Sequence, residues 1–165
     1  MNPLFIIFLV TVSDQISKYL IKLFLYKYQQ VDVIGSYLRF SYVENKGIAF
    51  GIDTSEYHIL ITLLTIVGIC ILIYYYIYKI ENVLVEKIPL SFIIGGAIGN
   101  AIDRILVLIP SMNYQGVIDF IDIGINQYRW YIFNLADTSI TIGIILYFIM
   151  HYKHSDKSYD TSGNI

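Results

Sequence analysis

Four apolar runs, each long enough to cross a bilayer, decide what this chain can become: roughly Leu4–Leu25, His58–Tyr78, Ile88–Ile109 and Leu135–Tyr152. A spanning helix takes about 20 residues. A backbone crossing hydrocarbon must also satisfy its own hydrogen bonds, which leaves helices or a closed barrel, and continuous apolar runs select helices. The expected fold is a mainly α membrane protein with four transmembrane helices. Composition agrees, with 56% hydrophobic and only 15% charged residues, against about 25% charged in soluble domains. Sixteen tyrosines suit rings that line both water–lipid interfaces. A net charge of −2 gives no reason to expect nucleic acid as a partner.

The 165 residues suit one compact domain, expected over 1–152, with the polar stretch 153–165 expected to be a disordered tail. The first run lacks a basic start, and Asp14 and Lys18 interrupt it before any small-residue cleavage site, so it reads as a retained span rather than a secretory leader. An even number of spans puts both termini on one side. The short 79–87 loop holds Lys79 and Lys87 and the tail holds Lys153 and Lys157, which favours cytoplasmic termini because short loops weigh most. Between the first two spans, Val31–Ile34 and Tyr37–Val43 flank Gly35-Ser36 as two short strands, a hairpin at about 31–43. The loop at about 110–134 reads as partly extended.

With the start of the chain inside, the polar residues of the spans gather at one depth. Asp14 and Lys18 fall in the outer half of the first run, Asn100, Asp103 and Arg104 near the outer end of the third, and Asp137 at the outer start of the fourth. Asp119 sits in the outer loop. Asp14, Ser17 and Lys18 follow i, i+3, i+4 spacing, as do Asn100, Asp103 and Arg104, so each set shares a helix face. Simple structural roles stand beside functional ones: Asp14 with Lys18 as an ion pair, Asp103 with Arg104 as a buried clamp, Asn134 as a helix cap, and Gly95, Gly96 and Gly99 as a strip for close helix approach. Asp119 and Asp137 lack a basic neighbour in sequence, and an intramembrane ionisable group is by default a functional candidate. His58, His151 and His154 have no metal-ligand spacing, and Cys70 is the single cysteine, so neither a metal site nor a disulfide is expected. No Gly-x-Ser-x-Gly elbow or phosphate loop occurs. What remains is water activation by paired carboxylates, a proton-coupled transporter or channel subunit, or a scaffold glued by polar residues.

Five blocks then carry a family resemblance: Asp14-Gln15-Ile16-Ser17-Lys18, Asn45-Lys46-Gly47-Ile48-Ala49-Phe50, Gly95 to Arg104, Gly116-Val117-Ile118-Asp119-Phe120-Ile121-Asp122 and Phe133-Asn134-Leu135-Ala136-Asp137. In this order they resemble lipoprotein signal peptidase (signal peptidase II), and they cover the chain from 14 to 137. The resemblance implies an aspartic endopeptidase of the bacterial cytoplasmic (inner) membrane. Such an enzyme, working with membrane lipids around it, removes the signal peptide of a prolipoprotein just before a diacylglyceryl-cysteine. It further implies Asp119 and Asp137 as catalytic residues, with Asp14, Lys18, Asn45, Gly47, Asn100, Asp103, Arg104, Asn134 and Ala136 supporting the site or holding substrate. No metal or other cofactor is implied, and a monomer is the default. A small antiparallel β platform on the outer face is part of the same expectation. Ile48 departs from the family's usual alanine.

Overall fold

The computed structural model describes residues 2–47, 55–80 and 83–162; the departure at Ile48 lies outside them. The main elements are α1 (Pro3–Phe24), β1 (Gln30–Ile34), β2 (Leu38–Asn45), α2 (His58–Tyr78), α3 (Ile88–Val107), β3 (Val117–Ile125), β4 (Tyr128–Arg129) and α4 (Leu135–Ser162). Every helix contains a stretch long and apolar enough to span a membrane. The chain is a multi-pass membrane protein with a small antiparallel sheet at one end of its bundle. Large apolar side chains point outward from the spans, Phe8, Leu23, Leu64, Ile71 and Phe148 among them. Lipid tails are as apolar as leucine, so nothing drives these side chains inward.

The inside of the bundle is small-residue and polar instead. α3 packs against all three other helices, and its glycines explain how. A Cβ on Gly95 would lie 2.9 Å from Val10 Cβ of α1, and one on Gly96 would collide with the Ala136 carbonyl oxygen of α4. The strip expected from sequence therefore serves two neighbours at once. At the end away from the sheet, Tyr76, Ile80, Leu90 and Ile94 form an apolar cluster between α2 and α3.

The sheet has strand order β1-β2-β3-β4. β1 and β2 form the expected hairpin, Gln30 opposite Ser41 and Ile34 opposite Leu38, turning at Gly35 with φ +50. β3 and β4 occupy the 110–134 stretch. Ile21 of α1 packs with Tyr42, Ile118 and Phe120, so the sheet rests on the tip of α1; a free hairpin would be marginal in water.

Beyond residue 152 the polar stretch continues α4 as helix through Ser162. Between Gly143 and Gly163 the sequence has neither glycine nor proline, so nothing stops a helix that is already nucleated, and propagation costs far less than nucleation.

Candidate active site

The site is built where the start of α4, the sheet end of α3 and the start of β3 meet. Asn134 precedes α4 and caps it: its Oδ1 accepts from the Asp137 N–H at 2.9 Å, while Asp137 Oδ2 accepts from the Asn134 N–H at 3.2 Å. This reciprocal capping box satisfies two otherwise orphan donors. Asp14 Oδ1 accepts the Ala136 N–H at 2.9 Å, so a carboxylate from α1 also closes the α4 terminus, where negative charge is favoured. Asp137 thus faces its surroundings from a helix start fixed on both sides.

Asp119 is placed by strand register. Val43 lies opposite Asp119, and Asn45 opposite Val117. Asn45 and Asp119 are therefore diagonal neighbours on one face, within reach of a long polar side chain. Asn45 Nδ2 donates to Asp119 Oδ2 at 2.9 Å, and Asn45 Oδ1 accepts the Gly47 N–H at 2.9 Å, fixing the turn that leaves β2. Asn134 Nδ2 donates to Asp119 Oδ1 at 2.7 Å. One asparagine thereby touches both aspartates.

Behind them lies a layer of buried charge. Lys18 Nζ donates to Asp14 Oδ2 at 2.8 Å, Asp103 Oδ2 at 3.0 Å and Asn100 Oδ1 at 3.0 Å, using all three ammonium hydrogens. Ammonium can only donate, so the carbonyl end of the Asn100 amide must face Lys18. Its Nδ2 is then free to donate to Asp137 Oδ1, at 2.8 Å. Asp103 Oδ2 also accepts the Ile118 N–H at 3.1 Å, which ties α3 to the residue preceding Asp119. Gln15 Nε2 donates into the same cluster. Gly99 leaves room for it: a Cβ there would lie 2.6 Å from Asp14 Oδ2.

Asp119 and Asp137 both open onto one cavity of about 980 Å³, together with Asn45, Gly47, Asn100 and Arg104. Arg104 Nη2 donates to the Gly47 carbonyl oxygen at 3.3 Å. Burial pushes the Asp119 carboxyl up to about 7; the charge of nearby Asp137 acts in the same direction, and the amides of Asn45 and Asn134 offset only part of the rise.

The sequence-predicted residues therefore divide into two sets. Asn45, Gly47, Asn100, Arg104, Asp119 and Asp137 line the cavity, whereas Asp14, Lys18, Asp103, Asn134 and Ala136 are buried behind it. Asn100, Asp103 and Arg104, expected on one face, split: Asp103 turns inward to Lys18 and Arg104 toward the cavity. Asp122, three residues past Asp119, is held by Arg129, whose Nε donates to Asp122 Oδ1 at 2.9 Å, and it braces the β3–β4 hairpin. Ile140 and Thr141 also line the cavity. Their i+3 and i+4 spacing from Asp137 was a usable signal. Trp130 and Tyr131, which line it from beyond β4, carried none.

The family model described as signal peptidase (SPase) II matches residues 6–153. A lipoprotein signal peptidase of Staphylococcus aureus is 34% identical over 151 residues, 92% of this chain and 88% of that protein. One from Clostridium tetani is 40% identical over 126 residues, 76% of each chain. Among solved structures, a bacterial membrane enzyme determined at 2.3 Å by the in meso method matches with a TM-score of 0.80 and 32% identity, covering 99% of this chain and 92% of that one.

Proposed function

The chain belongs to the signal peptidase II family, the lipoprotein signal peptidases, and from that premise we propose that it is an aspartic endopeptidase that cuts prolipoproteins immediately before the diacylglyceryl-cysteine. The observation that carries the reading is two carboxyl groups on one cavity, each held by two amide donors and each bonded to Asn134.

The charge of Asp137 disfavours a charge on Asp119, so one proton serves both groups. Asp119, with its affinity for a proton raised, holds the shared proton and donates a hydrogen bond to the scissile carbonyl. Asp137 takes a proton from a water between the two as that water attacks. The tetrahedral intermediate then collapses, the C–N bond breaks, and Asp119 delivers its proton to the leaving amine, while Asp137 retains the one it took. Arg104, at the cavity wall, supplies positive charge to the developing oxyanion in this reading. Asn45 and Asn100 keep the carboxyls in register.

The substrate's acyl chains remain in lipid while the cut needs water, so a dyad at a bundle end suits the task. In this reading the sheet end is the outer face of the cytoplasmic membrane, and both termini are cytoplasmic. A proton-coupled transporter is disfavoured because it would place its site at the midplane, whereas here the buried charges gather towards the sheet. The test is incubation of the purified protein with a diacylglyceryl-modified prolipoprotein, followed by mass spectrometry. Expected is a product beginning at the modified cysteine for wild type, formed about 10²–10⁴-fold more slowly by Asp119→Asn or Asp137→Asn. Equal cleavage by either variant would overturn the mechanism.

A further inference from the structure

Glu44 belongs to none of the five sequence blocks, yet it lies on the cavity wall with 7% of its surface exposed. Three separate segments converge on its carboxylate. Lys27, in the α1–β1 connection, donates to Oε2 at 2.7 Å; Tyr42 of β2 donates from its hydroxyl to Oε1 at 2.7 Å; and the Gln115 N–H donates to Oε2 at 3.2 Å. Lys27 also donates to Gln115 Oε1 at 2.7 Å, closing the ring. Burial alone would raise the Glu44 carboxyl, but Lys27, Tyr42 and Gln115 together hold it below the usual glutamate value. The same burial and the neighbouring carboxylate push the Tyr42 phenol up, so its proton stays in place as a donor.

The position of this knot gives it consequence. Glu44 is the residue before Asn45, and Gln115 lies two residues before Val117, the partner of Asn45 in the sheet. Between them the two backbones pass so closely that a Cβ on Gly116 would collide with the Asn45 carbonyl oxygen. Whatever holds residue 44 against residue 115 therefore sets the placement of the Asn45 amide relative to Asp119.

We propose that Glu44 is a positioning residue, acting through Asn45 to hold the amide hydrogen bond on the Asp119 carboxyl. Its catalytic consequence rests on the dyad reading above; the positioning itself does not. The groups facing Glu44 are Lys27, Tyr42 and Gln115, with Lys22 of α1 and Tyr114 close enough to feel its charge. Those facing Asp119 are Asp137, Asn45 and Asn134, with the charges of Lys18 and Arg104 nearby.

The Asn45 amide lowers the proton affinity of Asp119, so its displacement must raise the titration midpoint. Full-length protein in detergent, labelled with ¹³C at aspartate carboxyls, gives that midpoint by NMR with no substrate present, Asp119→Asn identifying the resonance. Expected is an upward displacement in Glu44→Ala equal to that in Asn45→Ala. Glu44→Gln, which keeps one of the two acceptor oxygens that Tyr42 and Gln115 use separately, should return it part of the way towards wild type, and the double variant should move no further than Asn45→Ala. An unmoved midpoint in Glu44→Ala, or additive displacements in the double variant, overturns the proposal. Cleavage is the second readout: kcat should fall about tenfold in Glu44→Ala with little change in KM, and non-additively with Asn45→Ala. Absence of cleavage by wild type would overturn the peptidase reading while the NMR result still decides the role of Glu44.

Discussion

Asp119 carries the proposed chemistry because it is a carboxyl held in a place that resists its charge. Its pKa of about 7 is set first by burial and next by Asp137. In the proposed mechanism Asp119 must hold its proton, so kcat/KM of the free enzyme should fall as pH rises through about 7; a flat profile to pH 9 would contradict that assignment. Stability carries the same signature. Between the ordinary value of 3.8 and about 7 the folded protein binds the proton that the unfolded chain has lost, so this group's contribution to stability declines as pH rises through that window. Asp119→Asn should flatten that part of a thermal-unfolding profile in detergent while lowering cleavage by about 10²–10⁴-fold. Lys18 makes the opposite kind of prediction, structural before catalytic. Lys18→Met leaves Asp14 and Asp103 buried without their counter-ion, a loss of about 3–5 kcal/mol, read as a lowered unfolding temperature.

At the scale of elements, three contacts align the aspartates: α3 against α4, α1 against the start of α4, and β2 against β3. Each is tight enough to test. Gly96→Val would drive a side chain into the Ala136 carbonyl and displace the first turn of α4, which carries Asp137. Overpacking of this kind costs about 1–3 kcal/mol. Activity should fall further than stability, since the misplacement falls at a carboxyl of the proposed dyad; thermal unfolding and cleavage of the same preparation separate the two. Gly68, with open space around its Cβ position, is the control, and Gly68→Val should leave cleavage unchanged. The register of β2 on β3 is as consequential, because sliding by one residue turns a strand's side chains to the other face and would carry Asn45 away from Asp119.

Considered whole, the molecule is a lipid-immersed bundle with a sheet at one end, and its aromatic residues follow that division. Tyr28, Tyr37, Tyr128 and Trp130 are exposed around the sheet, where amphipathic rings suit a membrane surface. The proposed orientation predicts that alkaline phosphatase fused after Asn126 is active, and inactive when fused after Tyr152; the reverse pattern would place the sheet in the cytoplasm. The spans, the hairpin at 31–43 and the polar blocks were legible in the chain itself, because apolar run length, strand alternation and i, i+3, i+4 spacing are local properties. The sequence likewise marked Asp119 and Asp137 as unneutralised carboxyls, and the resemblance named their family. Only the tertiary structure decided that Asp14, Lys18 and Asp103 stand behind the cavity, that Asp103 and Arg104 part company, and that Glu44 joins three segments. Those outcomes depend on which residues distant in sequence lie opposite one another. Close packing at glycine and strand register settle that, and neither is written in any single segment.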